Sequence, residues 1–265
     1  MLKITLWIII GIPVGLYLLM LLALYFFQEK LIFPGQPLPN DFQFEFSVPF
    51  KEVTIPVDGA ILHGLHFQQP EPRGLVFFLH GNGGNLEDWT IGADFYQGVN
   101  YDMFMLDYRG YGKSTGKISS EQQLFDDVRA AWDHISPQYH DKPIVIYGRS
   151  LGTALATQLA QQVPHDKLVL VSPFTSMVAM AKSLYSFAPS ALLRYPLHTD
   201  RRLGEINTPV VFFHGDQNDF IPIAHSQTLQ QLTRQPSTLT PVVGANHNDV
   251  HEFQAYLDAF AAALP

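Results

Sequence analysis

A short glycine-flanked turn around Ser150 constrains the fold of this chain more than any other feature. The turn spans residues 147–152 with the pattern Gly-x-Ser-x-Gly, after the apolar run 143–146 and before the small-residue run 153–160. A β-prone run, a tight turn of this pattern and a helix are together typical of a nucleophile elbow. The N–H of Leu151, at the helix start, then points to where an oxyanion would form. We therefore predict that Ser150 is a nucleophile.

A serine nucleophile needs a base, and the base needs a third group to orient it. A serine that follows one strand of a parallel sheet can be joined by an acid and then a histidine from the loops after later strands of the same sheet. His247 follows the strand-like run 238–243, and the polar loop 214–222 follows the run 210–213. We predict that His247 takes the proton of Ser150 and that the loop 214–222 supplies the acid.

A glycine-rich loop is the predicted source of a second oxyanion donor. It spans residues 80–85 and follows the apolar run 75–79. Its glycines allow the backbone to approach a substrate closely, and the N–H of Asn82 is the predicted donor. No Lys-Ser/Thr follows the glycines, which argues against a phosphate-binding loop. We expect His80 to support this loop structurally.

Strand and helix patterns predict a mostly parallel sheet with antiparallel strands at its start. The alternating stretch Phe42–Val48 predicts a strand, and Asp58-Gly59 between two strand-like runs predicts a hairpin. From residue 74 onward, continuous apolar strands alternate with amphipathic helices, which indicates a parallel sheet covered on both faces. The segment 174–207 lacks a strand pattern and is rich in Met and aromatic residues, which predicts a small lid. A surface helix with its apolar side in the core is the alternative.

The N-terminal segment predicts a membrane helix. Residues 4–27 contain no charge and would form a helix of roughly 36 Å, enough to cross the hydrocarbon core. A cleaved signal peptide is the alternative, but its apolar region would be shorter and would end at a small-x-small site. We therefore divide the chain into an anchor (1–30), a proline-containing linker (31–41) and a domain (42–265).

Charge and composition restrict the partners. The N-terminal amine and Lys3 favour a cytoplasmic N-terminus, with the domain on the opposite side of the membrane. The formal net charge of −8 argues against nucleic acid, and the absence of cysteine excludes disulfides and a Cys nucleophile. No cluster of ligating residues has metal-binding spacing, so we expect neither a metal nor a cofactor.

Five motifs in order give the chain a clear resemblance. From about residue 50 to the C-terminus it resembles the α/β-hydrolase superfamily and, within it, the membrane-anchored serine hydrolases of the Bem46-like group. The motifs are His80-Gly81-Asn82-x-Gly84-Asn85, Asp107-Tyr108-Arg109-Gly110-Tyr111-Gly112-x-Ser114, Gly148-Arg149-Ser150-Leu151-Gly152, Ser172-Pro173-Phe174-Thr175-Ser176 and Gly244-x-x-His247-Asn248-Asp249. The resemblance implies an α/β-hydrolase fold with a small lid, preceded here by one transmembrane helix.

The chain departs from its family at the catalytic acid. Relatives place the acid four residues after the His of a His-Gly-x-x-Asp motif, and Asn218 occupies that position here. A one-residue slip of the loop would bring Asp219 into the role, and this is our prediction. Asp216 is the alternative, and Asn218 itself a further one. An Asn there could favour the wrong imidazole tautomer, which in serine proteases costs about 10⁴ in turnover.

These residues together predict a membrane-tethered serine hydrolase. We expect it to cleave carboxylic esters or thioesters of a small-molecule, acyl or lipid-like substrate through an acyl-enzyme. An amidase or peptidase with the same catalytic residues is one alternative. The other is a decayed hydrolase that serves as an anchored binding module, which the unusual acid loop favours.

Overall fold

The fold is built on one eight-stranded sheet with the strand order β1-β2-β4-β3-β5-β6-β7-β8. In this computed structural model the described residues are 2–89 and 92–265, with side chains from residue 10 onward. The strands are β1 (Phe50–Val57), β2 (Ala60–Phe67), β3 (Leu75–Leu79), β4 (Asp102–Asp107), β5 (Ile144–Arg149), β6 (Lys167–Val171), β7 (Val210–Gly215) and β8 (Ser237–Val242). β1 and β2 pair antiparallel with each other, β2 pairs antiparallel with β4, and the other pairings are parallel. The predicted fold class is confirmed.

The described residues form eight α-helices, and several of them pack on the two faces of the sheet. They are α1 (Leu2–Ile32), α2 (Leu86–Trp89), α3 (Ala93–Gly98), α4 (Glu121–Ile135), α5 (Leu151–Gln162), α6 (Met177–Leu184), α7 (Ala224–Leu232) and α8 (Gln254–Ala263). Short 3₁₀ turns lie at Ser136–Tyr139, Ser190–Leu192, Leu203–Glu205 and Val250–Glu252. Alternate strand residues point to opposite faces, so Phe77 packs in the cluster with α4 and α5 while Val76 and Phe78 pack in the cluster with α3 and α8.

The predicted strand over Phe42–Val48 is wrong. The stretch forms no β-ladder, and its aromatic side chains pack on each other and on the domain. The ring centroids of Phe42 and Phe44 are 5.1 Å apart, and those of Phe46 and Phe67 are 5.5 Å apart. The aromatic alternation therefore reflects packing of an extended segment on the domain, which has the same period as a strand.

Helix α1 contains the apolar segment predicted as the anchor. Its span Ile10–Ile32 has a mean hydropathy of 2.2, which by length and composition is enough to cross a membrane. The following segment is bound to the domain. The N–H of Gln36 donates to the Gly84 carbonyl (3.0 Å) and that of Leu38 to the Gly112 carbonyl (2.8 Å). The linker thus fixes where α1 leaves the domain.

The turn between β5 and α5 depends on close backbone contact. A Cβ at Gly152 would lie 2.0 Å from the Leu79 carbonyl oxygen, and one at Gly148 would lie 2.5 Å from the Gly152 carbonyl oxygen. Both distances are shorter than any van der Waals contact. The two glycines are therefore required for β5, α5 and β3 to meet at this point.

We expect Gly152→Ala to destabilise the protein, because the new methyl group would push against the backbone of β3. Overpacking of this kind costs about 1–3 kcal/mol or more, which corresponds to a fall of several degrees in Tm. Gly98→Ala is the matched control, since nothing lies within 4 Å of a Cβ there. Thermal unfolding of both variants in detergent is the measurement, and an equal Tm for the two would contradict the close-contact argument.

Candidate active site

Ser150 lies at the tip of the strained turn between β5 and α5. Its backbone has φ 51° and ψ −118°, a region that costs a non-glycine residue energy and is common at nucleophile elbows. The N–H of Ser150 donates to the Val171 carbonyl at 2.9 Å, which ties the turn to β6. The side chain is 5% exposed and lines a cavity. The strain is thus held by the surrounding sheet and presents Oγ to that cavity.

His247 meets Ser150 from the loop after β8. Its Nε2 is 3.0 Å from Ser150 Oγ, a hydrogen-bond distance. Phe220 covers the imidazole edge-on, with 5.1 Å between the ring centroids. The structure therefore brings together the two residues that sequence reasoning assigned as nucleophile and base.

The side chain behind His247 is Asn218, where sequence reasoning expected Asp219. Asn218 Nδ2 is 3.0 Å from His247 Nδ1. Asp219 is exposed to solvent, and Asp216 Oδ1 instead accepts a hydrogen bond from the Gly244 N–H at 2.8 Å. The proposed one-residue slip does not occur, because the loop closes through the Asn218 N–H on the Gly215 carbonyl (3.2 Å), which turns residue 218 inward.

The orientation of the Asn218 amide follows from its hydrogen bonds. Its Oδ1 accepts from the buried Ile221 N–H at 2.9 Å, so that its NH₂ group faces His247 Nδ1. His214 does not compete for this role, since its Nε2–H donates to the Ile221 carbonyl at 2.6 Å. The His247 Nδ1 therefore acts as an acceptor, and the ring proton lies on Nε2, toward Ser150. In this tautomer the imidazole donates to Ser150, and it can take the Ser150 proton only after its own proton has moved to Nδ1.

The surroundings of His247 also disfavour its cationic form. Burial lowers the pKa of His247 to about 4, with further lowering by the positive Arg149 and by His214. Asn218 carries no charge that would offset these effects. An imidazolium at His247 would therefore be poorly stabilised in this site.

The two residues predicted to supply the oxyanion donors line the same cavity as Ser150. Leu151 is the first residue of α5, so its N–H has no acceptor within the helix. Asn82 lines the same cavity as Ser150 and Leu151. Its loop is held by the Tyr111 hydroxyl, which donates to the Asn82 carbonyl at 2.6 Å, and by Trp89 Nε1, which donates to the Gly83 carbonyl at 2.7 Å. This arrangement fits an oxyanion hole.

The chain is similar in sequence to several known proteins. The family described as serine aminopeptidase, S33 matches residues 70–199. Alpha/beta hydrolase domain-containing protein 17B is 33% identical in Xenopus laevis and 32% in Homo sapiens, over 71% of this chain. The match spans 65% of the length of those relatives. An uncharacterised protein of Mycobacterium tuberculosis is 34% identical over 72% of this chain and 70% of its own length.

Solved structures show the same fold at lower identity. An esterase from Pyrococcus furiosus superposes with a TM-score of 0.65 at 19% identity, covering 85% of this chain and 93% of the esterase. Est1E from Butyrivibrio proteoclasticus, solved with ferulic acid bound, has a TM-score of 0.63 at 18% identity, covering 80% and 95%. The chain belongs to the α/β-hydrolase superfamily. It is accordingly a member of a hydrolase family, as the sequence motifs implied.

His80 lies in the core beneath the loop that carries Asn82. It is fully buried, its Nδ1–H donates to the Gly81 carbonyl at 2.7 Å, and its own carbonyl accepts from the Tyr108 hydroxyl at 2.8 Å. Burial lowers the pKa of His80 to about 4 and raises that of the neighbouring Asp107 well above its usual range. These contacts shape the loop that carries Asn82.

Sequence reasoning missed two contributors to the site. Arg149 donates to the Asn248 carbonyl at 2.6 Å and lies 5.2 Å from the Trp89 ring centroid, so it holds the loop that carries His247. Its variable position in Gly-x-Ser-x-Gly gave no sign of this role. The second is α1, whose residues Leu24 and Gln28 line the cavity above Ser150. The sequence of α1 gave no sign that it would line a cavity, because its apolar composition indicated only a membrane span.

The cavity has a volume of about 340 Å³, at the lower end of the range for ligand sites. Its described lining is mostly apolar and contains neither Asp nor Glu. Across the described residues, no group of three or more His, Cys, Asp or Glu side chains is arranged to hold a metal. The arrangement suits acyl transfer to Ser150 with an apolar acyl group in the cavity.

We expect the pH profile of hydrolysis to depend on residue 218. Neutral imidazole is the basic form, so wild-type activity should fall only as the pH approaches the His247 pKa of about 4. In Asn218→Asp the new carboxylate would raise that pKa, and the acidic limb of kcat/KM should move up by about one pH unit or more.

Asp219→Asn is the matched control, because it removes a neighbouring carboxylate that does not contact His247. Its acidic limb should coincide with that of the wild type. A limb that moved with Asp219→Asn and not with Asn218→Asp would show that the loop adopts the slipped register.

Proposed function

We propose that the protein is a membrane-anchored serine hydrolase that cleaves carboxylic ester or thioester bonds through an acyl-enzyme. Ser150 Oγ bonds to the acyl carbon while its proton passes to His247, and the Asn82 and Leu151 N–H groups bind the oxyanion. The bond to the alcohol or thiol then breaks, and the leaving group takes the proton from His247. Water hydrolyses the Ser150 ester by the same steps and releases the acid.

The observation that carries this proposal is the 3.0 Å contact between Ser150 Oγ and His247 Nε2 beneath an apolar cavity. The strained φ of 51° at Ser150 supports it, since such strain persists where surrounding structure enforces it. No metal or cofactor has a part in the steps proposed here.

Asn218 sets a limit on the rate. To serve as a base, His247 must carry its proton on Nδ1, and Asn218 must then turn its Oδ1 toward that proton. This rotation breaks the hydrogen bond from the Ile221 N–H, and leaving a buried donor unsatisfied costs about 1–3 kcal/mol. We therefore propose that Asn218 replaces the catalytic acid as an inefficient orienting group.

The limited ability of His247 to carry a proton determines which leaving groups the site can release. A thiolate, with a pKa near 8.5, departs with little help from a proton donor, whereas an amine must be protonated. Because imidazolium is poorly stabilised here, thioesters and activated esters are better substrates than amides. The cavity lining, without a carboxylate to bind a peptide amine, favours the same conclusion over the amino-peptidase alternative.

The anchored location is part of the proposal. Helix α1 is apolar enough to cross a membrane once, and we propose that it anchors the catalytic domain to the membrane with the N-terminus in the cytoplasm and the domain on the opposite side. The second candidate function is an anchored binding module, which the resting tautomer of His247 favours. It predicts binding of an acyl compound to the cavity with no turnover.

Labelling with a fluorophosphonate probe tests the nucleophile. We expect the purified wild-type chain to be labelled, and Ser150→Ala to lose labelling completely because Oγ is the reacting atom. Asp216→Asn and Asp219→Asn should retain it within about twofold, since neither carboxylate contacts His247. A folded wild type that is not labelled would support the binding module.

Asn218→Asp should increase turnover of a thioester by at least about tenfold, within the 10⁴ that the reverse change costs serine proteases. The carboxylate would accept the His247 Nδ1–H and the Ile221 N–H together, so that no hydrogen bond need break. The measurement is kcat for an acyl thioester and for the matching anilide. A decrease in kcat would show that Asn218 is suited to the native reaction.

A further inference from the structure

One face of α1 forms a wall of the cavity above Ser150. The residues on this face are Leu24, Gln28, Leu31 and Ile32, which line the cavity together with residues of the lid. Their spacing of four, seven and eight residues places them on one side of a helix. The helix that resembles a plain membrane anchor is therefore also part of the site.

Polar contacts hold α1 against the lid. Gln28 Nε2 donates to the Leu192 carbonyl at 3.2 Å, and Gln28 Oε1 accepts from the Arg194 N–H at 2.8 Å. Glu29 accepts a hydrogen bond from the Tyr195 hydroxyl at 2.9 Å and forms an ion pair with Arg194. Gln28 is buried, so these bonds fix the position of the helix at the cavity.

The contact with the lid continues along the apolar span. The Tyr17 hydroxyl donates to the Phe187 carbonyl at 2.8 Å, and Tyr17 lies within Ile10–Ile32. From Tyr17 to Glu29 the helix rises roughly 18 Å. The lid therefore lies beside a segment that would be inside a bilayer, rather than at its end.

The lid presents apolar side chains on this side. Leu184 is 55% exposed and Phe187 is 46% exposed, and Leu184 also lines the cavity. Exposed large apolar groups beside an apolar helix would contact lipid rather than water. The cavity and the bilayer would thus be joined by a continuous apolar surface.

From this arrangement we propose that the cavity takes the acyl chain of a bilayer-resident lipid ester or thioester, which enters laterally between α1 and the lid. This inference rests on the proposed function and identifies how its substrate reaches Ser150. The acyl carbon would lie next to Ser150 Oγ. The acyl chain would lie between α1 on one side and α6, with Met177 and Met180, on the other. The acyl chain then need not pass through water, where the exposure of its methylene groups is unfavourable.

The test uses the full-length chain in phosphatidylcholine vesicles. A fluorogenic long-chain ester is placed either in the same vesicles or in separate ones, and a water-soluble butyrate ester is measured beside it. We expect the long-chain ester to be cleaved at least tenfold faster in the same vesicles. Equal rates for same and separate vesicles would overturn lateral entry.

A pair of tryptophan substitutions tests the role of α1. Leu24→Trp fills the cavity from the helix side, and we expect it to lower the ratio of long-chain to butyrate turnover at least tenfold. Leu22→Trp is the matched control, since Leu22 is 52% exposed and two residues away, on the opposite side of the helix. It should keep the wild-type ratio.

Ala181→Trp fills the same cavity from the lid and repeats the test if Leu24→Trp fails to fold. It should lower the ratio as Leu24→Trp does. An unchanged ratio in a folded cavity-filling variant, or the same loss with Leu22→Trp, would show that the acyl chain lies elsewhere.

A binding measurement separates this inference from the hydrolase proposal. Ser150→Ala in vesicles that contain a phosphatidylcholine with a diazirine on its acyl chain should crosslink at Leu24 or at α6, and Leu24→Trp should reduce that crosslinking. Crosslinking by Ser150→Ala with no hydrolysis by the wild type would support the lateral acyl-chain site and contradict the hydrolase proposal. Hydrolysis of butyrate by the wild type without crosslinking at these residues would support the hydrolase proposal and contradict lateral entry.

Discussion

The contact between the β5–α5 turn and the end of β3 is the constraint on which the site depends. At Gly148 and Gly152 the backbones approach so closely that no side chain fits, and Ser150 is held between them at a positive φ. This fixes Oγ relative to the loops after β3, β7 and β8. The oxyanion donors, His247 and Asn218 can then reach one point, because the carboxyl ends of parallel strands share an edge of the sheet.

The same edge of the sheet holds Asn218, the residue at which this chain departs from the acid position of the family. Asn218 has the place of a catalytic acid but the hydrogen-bonding groups of an amide, and the Ile221 N–H fixes which of them faces His247. Burial and Arg149 keep that imidazole neutral. A site of this kind favours substrates whose leaving groups need little protonation, and it links the electrostatics of His247 to the reaction we propose.

Helix α1 and the segment 174–207 line one cavity together. Gln28 and Glu29 form hydrogen bonds with residues of that segment, and Leu24 lines the cavity, so α1 contributes to the candidate site in addition to having the composition of an anchor. The lid is apolar where it lies beside α1. Tethering and substrate selection would therefore depend on the same contacts.

The sequence by itself determined the fold class, the elbow at Ser150, the Asp58-Gly59 hairpin and the apolar helix, because each has a local pattern that tertiary contacts do not alter. It also predicted His247 and Asn82 on loops that the structure brings to Ser150. It could not decide between residues 216, 218 and 219, since which side chain faces inward depends on how the loop closes on Gly215. Nor could it separate the aromatic segment Phe42–Val48 from a strand, because packing on the domain and ladder pairing have the same period. That α1 lines the cavity was decided only by the tertiary structure, because hydropathy records the apolarity of a helix and not what its faces contact.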